Sequence, residues 1–392
     1  LGSSERRAVR EAVFGLLRRR RVIEDALARA ARSERKDLEL LEPPLMLKLL
    51  LLASRERHEA QEIDPRVYKR FSAILERVFS ERLPPFKGTE LERAAVEANV
   101  PTWVYTRWTE RLGAERTKEI AAAFGRRAPL TVYVTSAEDP GALVARLRER
   151  GIEASLTASS PRGLNLPVGT DLARLTERDS LVVQDEGSQL IALAARPERE
   201  RARVLDACAG AGGKTIVLAD QSHGAEIVAL EPDAYRWREL QRRVKSGAKR
   251  ERAHLEDHAR AHPGRYDVVL VDAPCTGVGT LRRHPELAYR LEPEHLEAHR
   301  ARQQLLLTAA ATATAPEGRI VYATCSIFAE ENEDVIDAFL SQSRGAFAPE
   351  PVFTEALAEI LGRSSRLRIG PGPEPSGPDG YFIAALRRVS GG

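Results

Sequence analysis

The segment VLDACAGAGGKT, residues 204–215, decides the architecture of this chain. Val204-Leu205-Asp206 reads as a short buried strand that runs through a turn rich in glycine, Gly210-Ala211-Gly212-Gly213, into a helix. Glycines at a strand-to-helix turn let backbone approach a ligand closely, and in open α/β sheets ligands bind beyond the carboxyl ends of the strands. Two familiar readings of the turn fail. A phosphate-binding P-loop needs glycine where Cys208 stands, and the dinucleotide fingerprint needs glycine where Thr215 stands. Glu231 closes the next strand, 19 residues beyond Gly212, close to the offset of an acid that binds ribose hydroxyls. A nucleoside without a pyrophosphate, such as S-adenosylmethionine, fits this turn best.

Working outward, Glu226–Leu230, Tyr266–Val271 and Arg319–Ala323 are apolar runs separated by helical stretches. That alternation predicts an α/β domain with a parallel, doubly wound sheet and helices on both faces. Leu367–Ile369 and Tyr381–Leu386 flank a connector rich in proline and glycine and predict a hairpin. On the N-terminal side, Leu130–Val134, a helix over Ala142–Arg150 ended by Gly151, and strands at Ile152–Leu156 and Leu181–Val183 predict a small α+β segment. Before residue 126 the apolar positions recur at helical spacing, as in Val9, Ala12, Val13, Leu16, Leu17 and again in Phe71, Ile74, Leu75, Val78, Phe79. Further amphipathic stretches cover Leu91–Ala98 and Trp103–Phe124. Pro43-Pro44 and Pro84-Pro85 interrupt the pattern, so this part reads as all-α. The expected division is 1–126, 127–183 and 184–392.

Composition agrees with a folded chain of two or three domains: 392 residues, 43% hydrophobic and 30% charged. The longest apolar stretch, Leu45–Ala53, is broken by Lys48 and is too short to span a bilayer. No signal peptide is expected, because arginines interleave the first apolar residues. The chain opens on Leu1 rather than methionine, as a fragment would. Its three cysteines, Cys208, Cys275 and Cys325, include no CxxC pair, which points to a reducing cytoplasm. Net charge is only +3, but residues 1–35 hold ten arginines against five acids, including Arg18, Arg19, Arg20 and Arg21. That run, and the stretch from Arg236 to Arg252, suit either RNA phosphates or a solvated helix face. His254, His258 and His262 share helical spacing without cysteine partners, so they read as a solvated helix and no metal is expected.

All three cysteines fall at carboxyl ends of predicted strands. Asp272-Ala273-Pro274-Cys275 follows the Tyr266–Val271 run: the acid suits the ring of a flipped base, or alternatively a helix cap with Cys275 merely packed. Cys325, in Thr324-Cys325-Ser326, precedes a predicted helix over Ala329–Leu340, whose dipole favours a thiolate while Glu330 and Glu331 oppose it.

These residues resemble the RNA (cytosine-5) methyltransferases, nearest to the bacterial small-subunit ribosomal RNA enzymes with a NusB-like N-terminal domain. The matching stretches are VLDACAGAGGKT, VLVDAPCTGVGTLRRHPEL, VYATCSIFAEENEDVI, PDGYFIAAL and, at Gln184–Leu190, QDEGSQL. They span about residues 180–388, with AVFGLLRRRRVIEDAL a weaker match to the NusB-like region. The resemblance implies a Rossmann-like S-adenosylmethionine-dependent domain. It makes Cys325 the nucleophile at cytosine carbon 6, Cys275 the group that clears the carbon 5 proton, and Asp272 a ligand of the ring, with Lys214 beside them. Cys208, Ala209, Gly210, Ala211, Gly212, Gly213, Lys214, Glu231, Asp257 and Asp272 would line the cofactor site. RNA would contact Arg18, Arg19, Arg20, Arg282, Arg283 and His284, and the base must leave its stack to meet the sulfur. Departures from the family pattern are Ala211 for proline, Thr276 for serine, Glu231 for aspartate, and Thr135-Ser136 for asparagine-threonine. Three rivals remain: a transfer RNA methyltransferase, a DNA-type enzyme with Cys275 as nucleophile, and a ribosome-assembly factor without catalysis.

Overall fold

The computed structural model describes residues 12–38, 41–55, 57–222, 224–374 and 376–389. The chain divides into two compact units, one built from Leu1–Arg126 with Leu281–Leu291 and the other from Arg127–Thr280 with Glu292–Gly392.

The first unit is helical. Arg20–Ser33, Pro43–Ala53 and Pro65–Phe79 bury Ile23, Leu27, Leu49, Leu52, Ile74 and Leu75 together. Pro43 starts a helix rather than only breaking one, since a first-turn proline gives up an amide that would have no partner there. Phe71 is non-helical and kinks Pro65–Phe79. Glu90–Glu97 is fixed by a capping box between Thr89 and Glu92. The single amphipathic stretch expected over Trp103–Phe124 is two helices, Thr102–Leu112 and Ala114–Phe124, separated by Gly113 at φ +82°. Residues 281–291 join this unit through Asn99, whose side chain donates to Leu17 O and accepts from the Tyr289 hydroxyl. Val9, part of the first predicted stripe, lies outside the described residues.

The second unit opens with a small antiparallel sheet, order β2-β3-β1-β4, formed by β1 (Leu130–Val134), β2 (Ser155–Leu156), β3 (Gly163–Leu166) and β4 (Leu181–Val183). The helix Pro140–Glu149 covers it through Leu143, Val144 and Leu147.

The larger sheet has the order β10-β12-β9-β8-β5-β6-β7, with β11 paired to β12. Its strands are β5 (Arg203–Asp206), β6 (Glu226–Leu230), β7 (Lys249–Glu251), β8 (Tyr266–Asp272), β9 (Thr314–Thr324), β10 (Phe347–Pro349), β11 (Arg366–Ile369) and β12 (Tyr381–Arg388). The run from β7 to β9 is parallel, as expected, while β12 returns antiparallel against β9. Successive strand residues face opposite ways, so two cores form. Leu205, Val228, Val269, Val271, Ile320 and Tyr322 pack on one face with Leu306, Leu307 and Ile336 of the helices Pro293–Ala313 and Glu333–Gln342. Val204, Ile227, Val268, Leu270 and Val321 pack on the other with Leu190, Ile191, Val217 and Leu218. Each fully buried aliphatic side chain here contributes about 1.5–3 kcal/mol. Among the described residues, no helix is long and apolar enough to cross a membrane.

Candidate active site

The site grows from the carboxyl ends of β5, β8 and β9. β8 and β9 are parallel neighbours, with Asp272 opposite Ala323, and their ladder closes where Ala273 N–H donates to Ala323 O at 2.8 Å. Both chains then leave the sheet side by side. This brings Cys275 and Cys325, 50 residues apart, to an Sγ–Sγ separation of 3.4 Å. Both thiols are partly buried. The contact with Cys325 and burial push the Cys275 thiol well up, so Cys275 keeps its proton, and either sulfur can serve as donor in the contact.

The glycine-rich turn meets this pair from β5. Gly210 and Gly212 have φ of +56° and +82°, conformations that side chains resist. They turn the chain so that Lys214, in the first turn of the helix Gly213–Gln221, sends Nζ to Asp272 Oδ2 at 2.6 Å. Burial pulls the Lys214 ammonium down, but the Asp272 charge and hydrogen bond outweigh it and leave it raised. Asp206, wholly buried, accepts from the Thr215 hydroxyl at 2.7 Å. Burial lifts its carboxyl to about 6, and its second oxygen is left without a well-formed hydrogen bond. Burial likewise pushes the Cys208 thiol well up, so it stays a neutral thiol.

Glu231 follows β6 directly, is 4% exposed and accepts from Asp233 N–H at 2.8 Å. The orphaned oxygen of Asp206, the glycine turn and the acid at the next strand end together suit a nucleoside cofactor bearing positive charge. The structure brings together Cys208–Lys214, Glu231, Asp272, Cys275 and Cys325 along one sheet edge.

Asp257 follows β7 on the same carboxyl edge, in the first turn of Leu255–Ala261, where it is paired with Arg260 and 64% exposed. The expected RNA-contacting residues differ in burial. Arg282 departs from its expected RNA contact: it is 2% exposed, so a phosphate in solution does not reach its guanidinium. Arg283 is half-buried, and His284 is exposed beside Glu286. Arg19 is exposed, Arg18 is half-buried, and Arg20 pairs with Glu24 while lying over the Tyr289 ring. His258 is not solvated as expected: it is buried between Glu251 and the Tyr266 hydroxyl.

The predicted helix over Ala329–Leu340 is also divided. A single turn, Ala329–Glu331, is separated from the helix Glu333–Gln342 by Asn332, so Cys325 stands well before any α-helix and gains little from its dipole. Glu331 points inward to accept from Thr276 N–H and Oγ1 at 2.8 and 2.5 Å. Gln303, fully buried, donates to Pro274 O at 2.9 Å. From sequence, Glu331 has only a charge effect opposing the Cys325 thiolate, and Gln303 has no role. Glu331 sits inside a motif already quoted, whereas nothing in the sequence around Gln303 marks it out.

Two family models match. One, described as 16S rRNA methyltransferase RsmB/F, covers residues 191–387. The other, described as Methyltr_RsmF/B-like, ferredoxin-like domain, covers residues 100–173. The chain is 33% identical over 398 residues to ribosomal RNA small subunit methyltransferase B of Thermus thermophilus, covering 96% of this chain and 87% of the relative. It is 29% identical over 419 residues to the enzyme of that name from Xanthomonas campestris, covering 98% and 89%. A solved methyltransferase homolog from Pyrococcus horikoshii shares the fold, with a TM-score of 0.62 and 23% identity over 77% of this chain and 100% of that one.

Proposed function

The chain belongs to the 16S rRNA methyltransferase RsmB/F family, and on that premise we propose that it methylates carbon 5 of a cytosine in small-subunit ribosomal RNA through a transient bond from Cys325. The observation that carries this reading is the pair of thiols 3.4 Å apart at adjacent strand ends, beside the Lys214–Asp272 pair. S-adenosylmethionine, when held by Cys208–Lys214 and Glu231, supplies an electrophilic methyl group.

Carbon 5 of cytosine is a weak nucleophile. The Cys325 thiolate adds to carbon 6, and the electron pair displaced from the double bond makes carbon 5 nucleophilic. Asp272, oriented by Lys214, faces the ring nitrogen. After methylation the carbon 5 proton must leave, and its electron pair restores the double bond as the carbon–sulfur bond breaks. Cys275, as the thiolate left once its own proton has passed to solvent, takes that proton. In the resting site the contact with Cys325 is the first reason Cys275 stays protonated, followed by burial and then the Cys325 charge. Bonding of Cys325 to carbon removes that sulfur's effects on Cys275, while burial still holds the thiol up. The all-α unit and the small antiparallel sheet are read as the RNA-binding parts.

The test incubates wild type, Cys275→Ala and Cys325→Ala with S-adenosylmethionine and unmodified ribosomal RNA, then resolves each on a denaturing gel. Cys275→Ala is expected to accumulate protein covalently joined to RNA, and Cys325→Ala to form no adduct and no 5-methylcytosine. An adduct that depends on Cys275 would exchange the roles. S-adenosylmethionine binding with no chemistry on ribosomal RNA, but turnover on transfer RNA, would move the substrate.

A further inference from the structure

Past Ala273 and Ala323 the sheet no longer spaces the two cysteine loops, so other contacts must set the distance between the sulfurs. One is Gly279 N–H donating to Cys325 O at 2.9 Å. Another is Thr276 Oγ1 facing Ser326 Oγ at 3.4 Å, and the rest converge on two consecutive residues. Glu331, 0% exposed, accepts from both Thr276 donors, and Gln303 Nε2 bridges Pro274 O and Glu331 Oε1 at 2.9 and 3.2 Å. The residues on both sides of Cys275 are therefore tied to Glu331 and its partner. Asn332, also 0% exposed, does the same for the other thiol: Oδ1 accepts from Thr324 Oγ1 at 2.5 Å and Nδ2 donates to Ser326 O at 3.0 Å. Tyr322, inside β9, donates its hydroxyl to Glu331 O at 2.6 Å and pins this dipeptide to the sheet. Burying a carboxyl and an amide costs several kcal/mol unless each is hydrogen-bonded. An apolar pair would fill the space without that cost but would aim neither loop.

We propose that Glu331 and Asn332 are a two-armed clamp of positioning residues, Glu331 with Gln303 aiming Cys275 and Asn332 aiming Cys325. The inference rests on the roles given to the two cysteines above. Its consequence is a division of labour: the Asn332 arm governs attack on carbon 6, and the Glu331 arm governs resolution of the adduct. A reacting group misplaced by about 1 Å costs on the order of 100-fold.

The experiment is a single-turnover assay with excess enzyme, ribosomal RNA and S-adenosylmethionine, following methyl incorporation and the RNA–protein adduct together. Glu331→Ala is expected to trap about tenfold or more adduct than wild type while methyl transfer proceeds, as Cys275→Ala does. Glu331→Gln should restore release in part, because its amide oxygen still accepts from Thr276 N–H. Thr276→Val removes one donor from the opposite side with little change of volume, and should trap adduct even if Glu331→Ala folds poorly. Asn332→Ala should lower adduct and methyl transfer together. The clamp is overturned if Glu331→Ala and Thr276→Val release RNA at the wild-type rate, or if both lose adduct and methyl transfer in parallel, while Cys275→Ala traps. If Cys275→Ala itself traps nothing, the cysteine assignment falls and the clamp falls with it.

Discussion

Cys275 and Cys325 carry the same side chain, and the proposed division into base and nucleophile rests on their surroundings alone. The same holds for Asp206 and Asp272, two aspartates at neighbouring strand ends. Asp272 is hydrogen-bonded to the Lys214 ammonium, whereas Asp206, bonded to the Thr215 hydroxyl, is lifted by burial to about 6. A raised carboxyl is a penalty on the folded state that is fully present above about pH 6. The penalty is relieved as pH falls toward the ordinary aspartate range near 4. Its size at neutral pH is on the order of 3 kcal/mol. Asp206→Asn, which still accepts from Thr215, should therefore melt higher than wild type at pH 8, with the advantage shrinking at pH 5. Equal melting temperatures at pH 8 would show that the charge is not penalised. At this scale the cysteines and Asp272 were legible from their types and their places at strand ends, and Lys214 through the family resemblance. Gln303 was not, because an uncharged residue in a helix gains its role from a carbonyl 29 positions away.

At the scale of elements, strands that were apolar throughout were legible and those at the margins were not. β7, Lys249-Arg250-Glu251, is polar because it closes the sheet edge and is exposed on one side. β10 is three residues long and is defined only by its partner β12. The break at Asn332 was missed because the apolar residues on either side of it keep helical spacing. Gly279 and Gly380 show another long-range constraint. A Cβ on Gly279 would stand 2.0 Å from Gly380 O and 2.8 Å from Cys325 O, both backbone atoms. Gly279→Ala must push the loop before β12 away from the Cys325 loop, at a cost of about 1–3 kcal/mol. A melting temperature lowered by several degrees together with slower adduct formation is the expected result. An unchanged rate would show that this crossing does not hold the Cys325 loop.

For the whole molecule, the change of texture near residue 126 was legible, but the return of residues 281–291 to the helical unit was not. That segment reads locally as a loop beyond β8, and its Leu281, Ala288 and Leu291 find burial only in three dimensions. A fragment ending at residue 126 lacks these side chains and the Tyr289 hydroxyl that Asn99 accepts. Such a fragment should melt lower and bind a hydrophobic dye more strongly than the same unit in the full chain, and a peptide of residues 281–291 should reverse part of the difference. A fragment that melts like the full chain's helical unit would show that the segment contributes little.

β12 is the last strand of the large sheet to be synthesised, yet it lies inside that sheet, between β9 and β10. Parallel strands β5 to β9 can pair while translation continues, but β9 then presents an open edge and Gly279 lacks the Gly380 N–H it accepts at 2.8 Å. The cysteine loops acquire their final bracing only when residues 381–388 have cleared the ribosome. A nascent chain of this protein therefore carries every reactive side chain before it can use them, and the risk of pairing with a neighbouring chain through β9 lasts until residues 381–388 emerge.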